Sequence, residues 1–204
     1  MSAAPGRASG LKGSLCVFTG SRRGRNGDYA RAARQFGREL AERGYGLVYG
    51  GGNVGLMNVV ADTVLEYHGT VTGVIPETLV EKEVVHRGLS DLRVVRSMHE
   101  RKALMAELSD GFVALPGGIG TMEEFFEVLS WAQLGIHNKP CGLLNVAGYY
   151  SQLIRFVDYA VEQDFLRPKH RDLLMVESEP GRLLDRFEQF IASQVTQRFD
   201  RKQT

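Results

Sequence analysis

Cysteine is scarce in this chain. Of 204 residues only Cys16 and Cys141 are cysteines, and each sits inside a short apolar run. That spacing supports neither a disulfide framework nor a thiolate metal site. Both are expected as reduced, buried strand residues of a cytoplasmic protein. A charge excess is also missing. The 25 basic and 24 acidic residues leave a net charge of +1, which argues against a polyanion or a membrane surface as partner. No run reaches the roughly 18 apolar residues a membrane span needs. The stretch Met1 to Lys12 is small, polar and glycine-rich, without the apolar core of a signal peptide.

Several catalytic signatures are absent too. There is no Gly-Lys-Ser/Thr phosphate loop, no His-Glu-x-x-His and no Gly-x-Ser-x-Gly elbow. The five histidines, His68, His86, His99, His137 and His170, are scattered, so no catalytic metal is expected. A dinucleotide site needs Gly-x-Gly-x-x-Gly after the first strand and an acid at the end of the second. The first strand is followed instead by Gly20-Ser21-Arg22-Arg23-Gly24, and the second ends in Tyr49 and glycines. NAD binding is disfavoured and no cofactor is expected, while a nucleotide monophosphate remains compatible. The basic cluster Arg22, Arg23 and Arg25 lacks interleaved aromatics. It reads as a local anion patch or a solvated loop, not as a nucleic-acid surface.

What is present is an alternation of short apolar strands with helical patterns. Strands are expected at 15–19, 47–49, 70–75, 92–96, 112–115, 141–145 and 173–176. Helices are expected from Asp28, as a cap, to about Arg43, stopped by Gly44 and Gly46, and then at 54–67, 98–108, 121–134, 149–163 and 180–192. The stretch from Glu77 to Leu92 has no clear period. Such alternation implies an α/β, Rossmann-like doubly wound fold, with a mainly parallel sheet and helices on both faces. Residues 13–192 read as one domain between a tail at 1–12, expected to be disordered, and a C-terminal tail at 193–204 whose last residues, Arg198 to Thr204, are expected to be disordered.

The most informative segment is Leu115-Pro116-Gly117-Gly118-Ile119-Gly120-Thr121-Met122-Glu123-Glu124. An apolar strand runs into it and an amphipathic helix leaves it. Its three glycines permit a tight turn and close approach to a ligand. Thr121 is expected as the N-cap, and the free N–H groups at the helix mouth suit a phosphate. Two carboxylates, Glu123 and Glu124, follow at once. They are ordinary first-turn capping, or they act on another part of a phosphorylated ligand. A second segment, Ser97-Met98-His99-Glu100-Arg101-Lys102, starts a helix directly after the fourth strand. It brings Arg101 and Lys102 to the same sheet edge, unless they pair with Asp110 or Glu107 on the surface.

These two segments resemble the paired signature motifs of the LONELY GUY (LOG) family, cytokinin riboside 5′-monophosphate phosphoribohydrolases of a wider group once labelled possible lysine decarboxylases. Tyr49-Gly-Gly-Gly-Asn-Val-Gly-Leu-Met57, Leu129 to His137 and Lys139 to Asn145 extend the resemblance, which runs from about Ser14 to Glu188. It implies hydrolysis of the N-glycosidic bond of an N6-modified adenosine monophosphate to a free base and ribose 5-phosphate. The family's substrate-binding positions fall on Glu83, Arg101, Lys102, Gly117, Gly118, Ile119, Gly120, Thr121, Met122 and Glu123, with Ser130 where the family has threonine. Arg101, Glu123 and Glu124 are the expected catalytic residues, the division of roles between the glutamates staying open. The resemblance also implies a homodimer. Phe125, Phe126, Trp131 and Leu134 serve either that interface or the core. Alternatives are a broader AMP or nucleoside monophosphate nucleosidase and a non-catalytic nucleotide- or cofactor-carrier module on the same fold. Lysine decarboxylation would require pyridoxal phosphate on a Schiff-base lysine, and no lysine stands in a recognisable context for it.

Overall fold

Each apolar run between glycine turns becomes a strand of one parallel sheet. The computed structural model describes residues 12–80 and 85–200. Most of the expected N-terminal tail, Glu83 and residues 201–204 lie outside the described residues. In chain order the elements are β1 (Gly13–Phe18), α1 (Gly27–Glu42), β2 (Tyr45–Tyr49), α2 (Gly55–Glu66), β3 (Val71–Pro76), α3 (Glu77–Val80) and β4 (Asp91–Val95). They continue with α4 (Met98–Glu107), β5 (Gly111–Ala114), α5 (Ile119–Gln133), β6 (Cys141–Leu144), a 3-10 turn (Val146–Gly148), α6 (Ser151–Glu162), α7 (Pro168–Arg171), β7 (Leu174–Glu177) and α8 (Pro180–Asp200).

The strand order is β4-β3-β2-β1-β5-β6-β7, and every neighbouring pair is parallel. Side chains alternate across each strand. Leu15 and Val17 of β1 join a core with Phe36 and Leu40 of α1, Val60 and Val64 of α2, and Leu183 and Phe187 of α8. Cys16 and Phe18 face the other way, onto Met105 of α4, Phe125 and Val128 of α5, and Tyr150 and Val157 at α6. Both faces are therefore covered, as a parallel sheet requires. This is the Rossmann-like, doubly wound arrangement. The chain builds outward from β1 to β4, then returns to lay β5 against the other side of β1. The loops after β1 and β5 leave toward opposite faces, and such a divergence opens a crevice at the carboxyl ends of the strands.

Three local expectations need correction. Asn26, not Asp28, caps α1, its side-chain oxygen accepting the Asp28 N–H at 2.9 Å. Gly46 does not end the preceding helix but lies buried within β2, and Gly44, at φ +76°, makes the stop. α8 continues past Ala192 to Asp200, since no glycine or proline follows Gly181 to break it.

Candidate active site

The β5–α5 loop is held by its carbonyls. The Tyr150 hydroxyl donates to the Leu115 carbonyl at 2.6 Å, and the Tyr149 hydroxyl donates to that of Gly117 at 2.5 Å. Between them, the Pro116 carbonyl accepts from the Gly20 N–H at 3.1 Å and the Thr19 hydroxyl at 3.2 Å. Three successive acceptors are thus occupied from behind, and the donors that follow are left to the cleft. Thr121 is not the N-cap. α5 starts two residues earlier, with Gly118 in extended conformation as a cap that has no side chain to offer. The first turn carries no acidic residue, so Glu123 and Glu124 are not capping groups. The opening N–H groups of α5 therefore have no side-chain cap competing for them, the arrangement that suits an anion. Thr121 lies buried one turn in, its hydroxyl folded over Gly117, where any Cβ would collide with it.

The opposite wall comes from α4. Ser97 caps it, accepting the Glu100 N–H at 3.1 Å, while the Glu100 carboxylate accepts the Arg96 N–H at 2.9 Å. Arg101 on the first turns of α4 is only 8% exposed. Its Nε donates to the Val74 carbonyl at 3.1 Å and its Nη2 to the Gly50 carbonyl at 3.3 Å. Gly50 must lack a side chain because a Cβ would occupy the place of that guanidinium nitrogen. The remaining Nη1 faces Glu124 Oε1 at 3.8 Å. Lys102 instead reaches Glu123 at 2.5 Å and Glu127 at 3.1 Å. Neither cation pairs with Asp110 or Glu107, because both point across to α5.

The two glutamates differ electrostatically. The Glu124 side chain is 14% exposed and that of Glu123 is 51% exposed. Burial raises the Glu124 pKa above the ordinary carboxylate value. The Arg101 guanidinium partly counters this, and the nearby Glu123 charge adds to it. The hydrogen bond to Glu123 raises the pKa of Lys102 and keeps it protonated.

The walls enclose a cleft of about 290 Å³. Arg101, Gly118, Ile119, Gly120, Thr121, Glu123 and Glu124 line it, so the structure gathers most of the expected residues in one place. Gly117 lies just behind, on an adjoining cleft. Lys102 joins through its bond to Glu123. Met122 turns instead toward the core cluster on the second face. Ser130 is exposed far along α5, roughly 18 Å from Gly118 at the helical rise per residue, and does not reach this cleft within one chain. Sequence reasoning missed Thr19, Ser21, Met57 and Met98, which also line it. Met98 and Met57 did lie inside conspicuous motifs, but a methionine there carries no distinguishing pattern. It also missed a fastening beside the cleft. Buried His86 bonds Asp62 of α2 at 2.8 Å through Nε2 and accepts the Gly88 N–H at Nδ1. Both cysteines are free and buried, and burial pushes the Cys141 thiol up to about 12. Among the described residues no group of three or more His, Cys, Asp or Glu is placed to hold a metal ion, and no helix is long and apolar enough to cross a membrane.

Comparison with known proteins places this arrangement in a family. The family model described as "Possible lysine decarboxylase" matches residues 57–187. A probable cytokinin riboside 5′-monophosphate phosphoribohydrolase of Oryza sativa subsp. japonica, LOGL9, is 52% identical over 177 residues, covering 87% of this chain and 78% of the relative. The Arabidopsis thaliana cytokinin riboside 5′-monophosphate phosphoribohydrolase LOG3 is 47% identical over 176 residues, covering 86% and 82%. Among solved structures, the molybdenum cofactor binding protein of Rippkaea orientalis superposes with a TM-score of 0.68 at 22% identity, covering 90% of this chain and 99% of that one. That likeness is one of fold alone. With near-half identity to these relatives along most of its length, the chain belongs to the LOG family, the group whose family model carries the possible lysine decarboxylase description.

Proposed function

We propose that this protein hydrolyses the N-glycosidic bond of N6-modified adenosine 5′-monophosphates, releasing the free cytokinin base and ribose 5-phosphate. The observation that carries the reading is the buried Glu124 carboxylate, held beside Arg101 and within one cleft of an uncapped helix N-terminus. The 5′-phosphate sits on the α5 amides. The bond from C1′ to the base nitrogen breaks, its electron pair leaves with the base, and C1′ gains oxocarbenium character. Glu124 stabilises that cation and orients the water whose oxygen bonds to C1′. The proton released from the water balances the one taken up by the departing base. Arg101 keeps Glu124 ionised against the effect of burial. Glu123, bound to Lys102 at the rim, holds Lys102 in place and takes no part in bond cleavage.

A Schiff-base mechanism does not suit the residues. Among the described residues Lys102 is the lysine that pairs with a cleft carboxylate, and its ammonium is bound by two carboxylates, the opposite of the neutral amine such chemistry needs. A carrier module has no use for a buried Arg101–Glu124 pair. We also propose a homodimer formed through the second face. Phe125 is fully buried and Trp131 packs on the core, but Leu134, Ile136 and Phe156 are 72%, 66% and 65% exposed on α5, the turn after it, and α6. Ser130 lies exposed on the same α5, placed to serve a neighbouring subunit. A cytoplasmic location fits the two free thiols.

The test offers isopentenyladenosine monophosphate and AMP in parallel to the purified protein, with the nucleosides as controls, and separates products by chromatography. Free base from the modified monophosphate and none from the nucleosides is expected. The rate ratio to AMP reports selectivity for the modified base. No base from either monophosphate sinks the reading. Light scattering on the same sample measures the dimer, and a monomeric mass overturns it.

A further inference from the structure

A second cleft, of about 360 Å³, adjoins the first and shares Gly20, Ser21 and Gly118 with it. It lies on the far side of the crossing between the β1 and β5 loops. Its walls include Arg22, Arg23, Tyr29 and Tyr149. The loop carrying the arginines is built, not loose. The Gly20 N–H bonds Pro116, the Gly20 carbonyl accepts the Leu56 N–H at 3.0 Å, and Asn26 caps α1 at the loop's end. Gly24, at φ +73°, packs directly on the Tyr29 ring, where a Cβ would stand 2.7 Å from a ring carbon. The Tyr29 and Tyr149 rings meet edge to face at 5.5 Å. Two guanidinium groups are thus mounted on a braced backbone. Among the described residues nine arginines pair with a carboxylate, and Arg22 and Arg23 are not among them.

We propose that Arg22 and Arg23 form the outer half of the phosphate site, gripping the dianion of a 5′-phosphate monoester whose inner oxygens rest on the α5 amides. This deepens the proposed function and rests on it for the identity of the substrate. The geometry sets the direction of the ligand. Arg101 and Glu124 stand on the β2–β3 side of the α5 N-terminus and receive the ribose. The arginine cleft does not include Arg101 or Glu124 and is bordered by Tyr29, Leu56 and Tyr149, so it meets the 5′ end. An arginine fork matches phosphate oxygens in shape as well as charge. In a chain of net charge +1 this local positive patch separates phosphorylated from unphosphorylated nucleosides.

Arg25 supplies the control. It belongs to the same loop and carries the same charge, but does not line the cleft. The experiment measures KM and kcat for isopentenyladenosine monophosphate, and the calorimetric affinity for ribose 5-phosphate, in the wild type, in Arg22→Ala/Arg23→Ala and in Arg25→Ala. The double variant is expected to raise KM and weaken ribose 5-phosphate binding, each by roughly tenfold, with the loss falling on KM far more than on kcat. Arg25→Ala is expected to stay within about twofold, the scale of a general charge effect. Wild-type KM and affinity in the double variant overturn the proposal, as does an equal loss in Arg25→Ala. Should the wild type release no base, the function reading fails while the ribose 5-phosphate titration still decides the anion site.

Discussion

Arg101 and Lys102 are adjacent in sequence, and so are Glu123 and Glu124, yet the two ion pairs they form differ in how far their carboxylates are buried. Arg101 and Glu124 face each other in the buried wall of the cleft, while Lys102 and Glu123 meet at its rim. Consecutive helical residues point about 100° apart, so α5 delivers Glu124 inward and Glu123 to the rim. The buried pair is the less attractive in energetic terms. It is separated by 3.8 Å, and burying charge costs more than a loose contact returns. Its retention makes sense as chemistry. The rim pair is shorter and open to solvent on its Glu123 side, and a pair screened in this way contributes about 1 kcal/mol.

The comparison breaks most easily at the glutamates. Glu124→Gln is expected to lower kcat at least about 100-fold, the scale of losing a charge that stabilises the transition state. Glu123→Gln is expected to stay within about fivefold. Base release under saturating substrate checks both, and equal losses would erase the distinction. Next comes stability. Arg101→Met leaves the Val74 and Gly50 carbonyls and the Glu124 carboxylate without their buried partner, an expected loss of about 3 kcal/mol in urea unfolding. Lys102→Met is expected to lose less than about 1 kcal/mol. Gly50→Ala, which drives a methyl into the guanidinium, is expected to cost about 1–3 kcal/mol and to lower turnover with it.

The smallest effects are the most diagnostic. Activity that needs ionised Glu124 rises with pH through its raised pKa, so the acid limb of kcat is expected above the ordinary glutamate range. Removing the neighbouring Glu123 charge makes ionisation easier, and Glu123→Gln moves the limb to lower pH. Removing the Lys102 charge makes ionisation harder, and Lys102→Met moves it to higher pH. The linkage to stability runs the opposite way. A carboxyl whose folded pKa is raised favours folding at low pH, and that contribution is lost as pH rises through the folded value. A pH profile unmoved by either substitution would remove Glu124 as the titrating group.

Much of this was legible beforehand, for reasons that can be named. Strands buried on both faces are apolar throughout, so β1, β2, β5 and β6 announce themselves between glycines. The motifs around Arg101 and Glu124 fall directly after strands, which fixes the sheet edge they share. What stayed hidden depends on contacts between distant segments. Nothing near Thr121 says that Gly118 begins the helix, because a glycine cap leaves no side-chain signature. The bonds from Tyr149 and Tyr150 to the glycine loop link positions more than 30 residues apart. The anchoring of His86 on Asp62 spans 24 residues. The exposed position of Ser130 follows from the length of α5 and not from its hydroxyl.

The pinned carbonyls of Leu115, Pro116 and Gly117 also bear on how the protein comes to be active. Their donors arrive from the loop directly after β1, at Thr19 and Gly20, and from the junction after β6, at Tyr149 and Tyr150. The loop therefore takes its working shape only when the amino-terminal and carboxyl-terminal halves of the sheet have both docked on β5. Long-range closure of this kind comes late in folding. Substrate binding should recover after bulk helix content when the denatured chain is returned to native conditions. A fragment limited to residues 57–187, the span of the family model, would keep both tyrosines and lose the loop that supplies the other two donors.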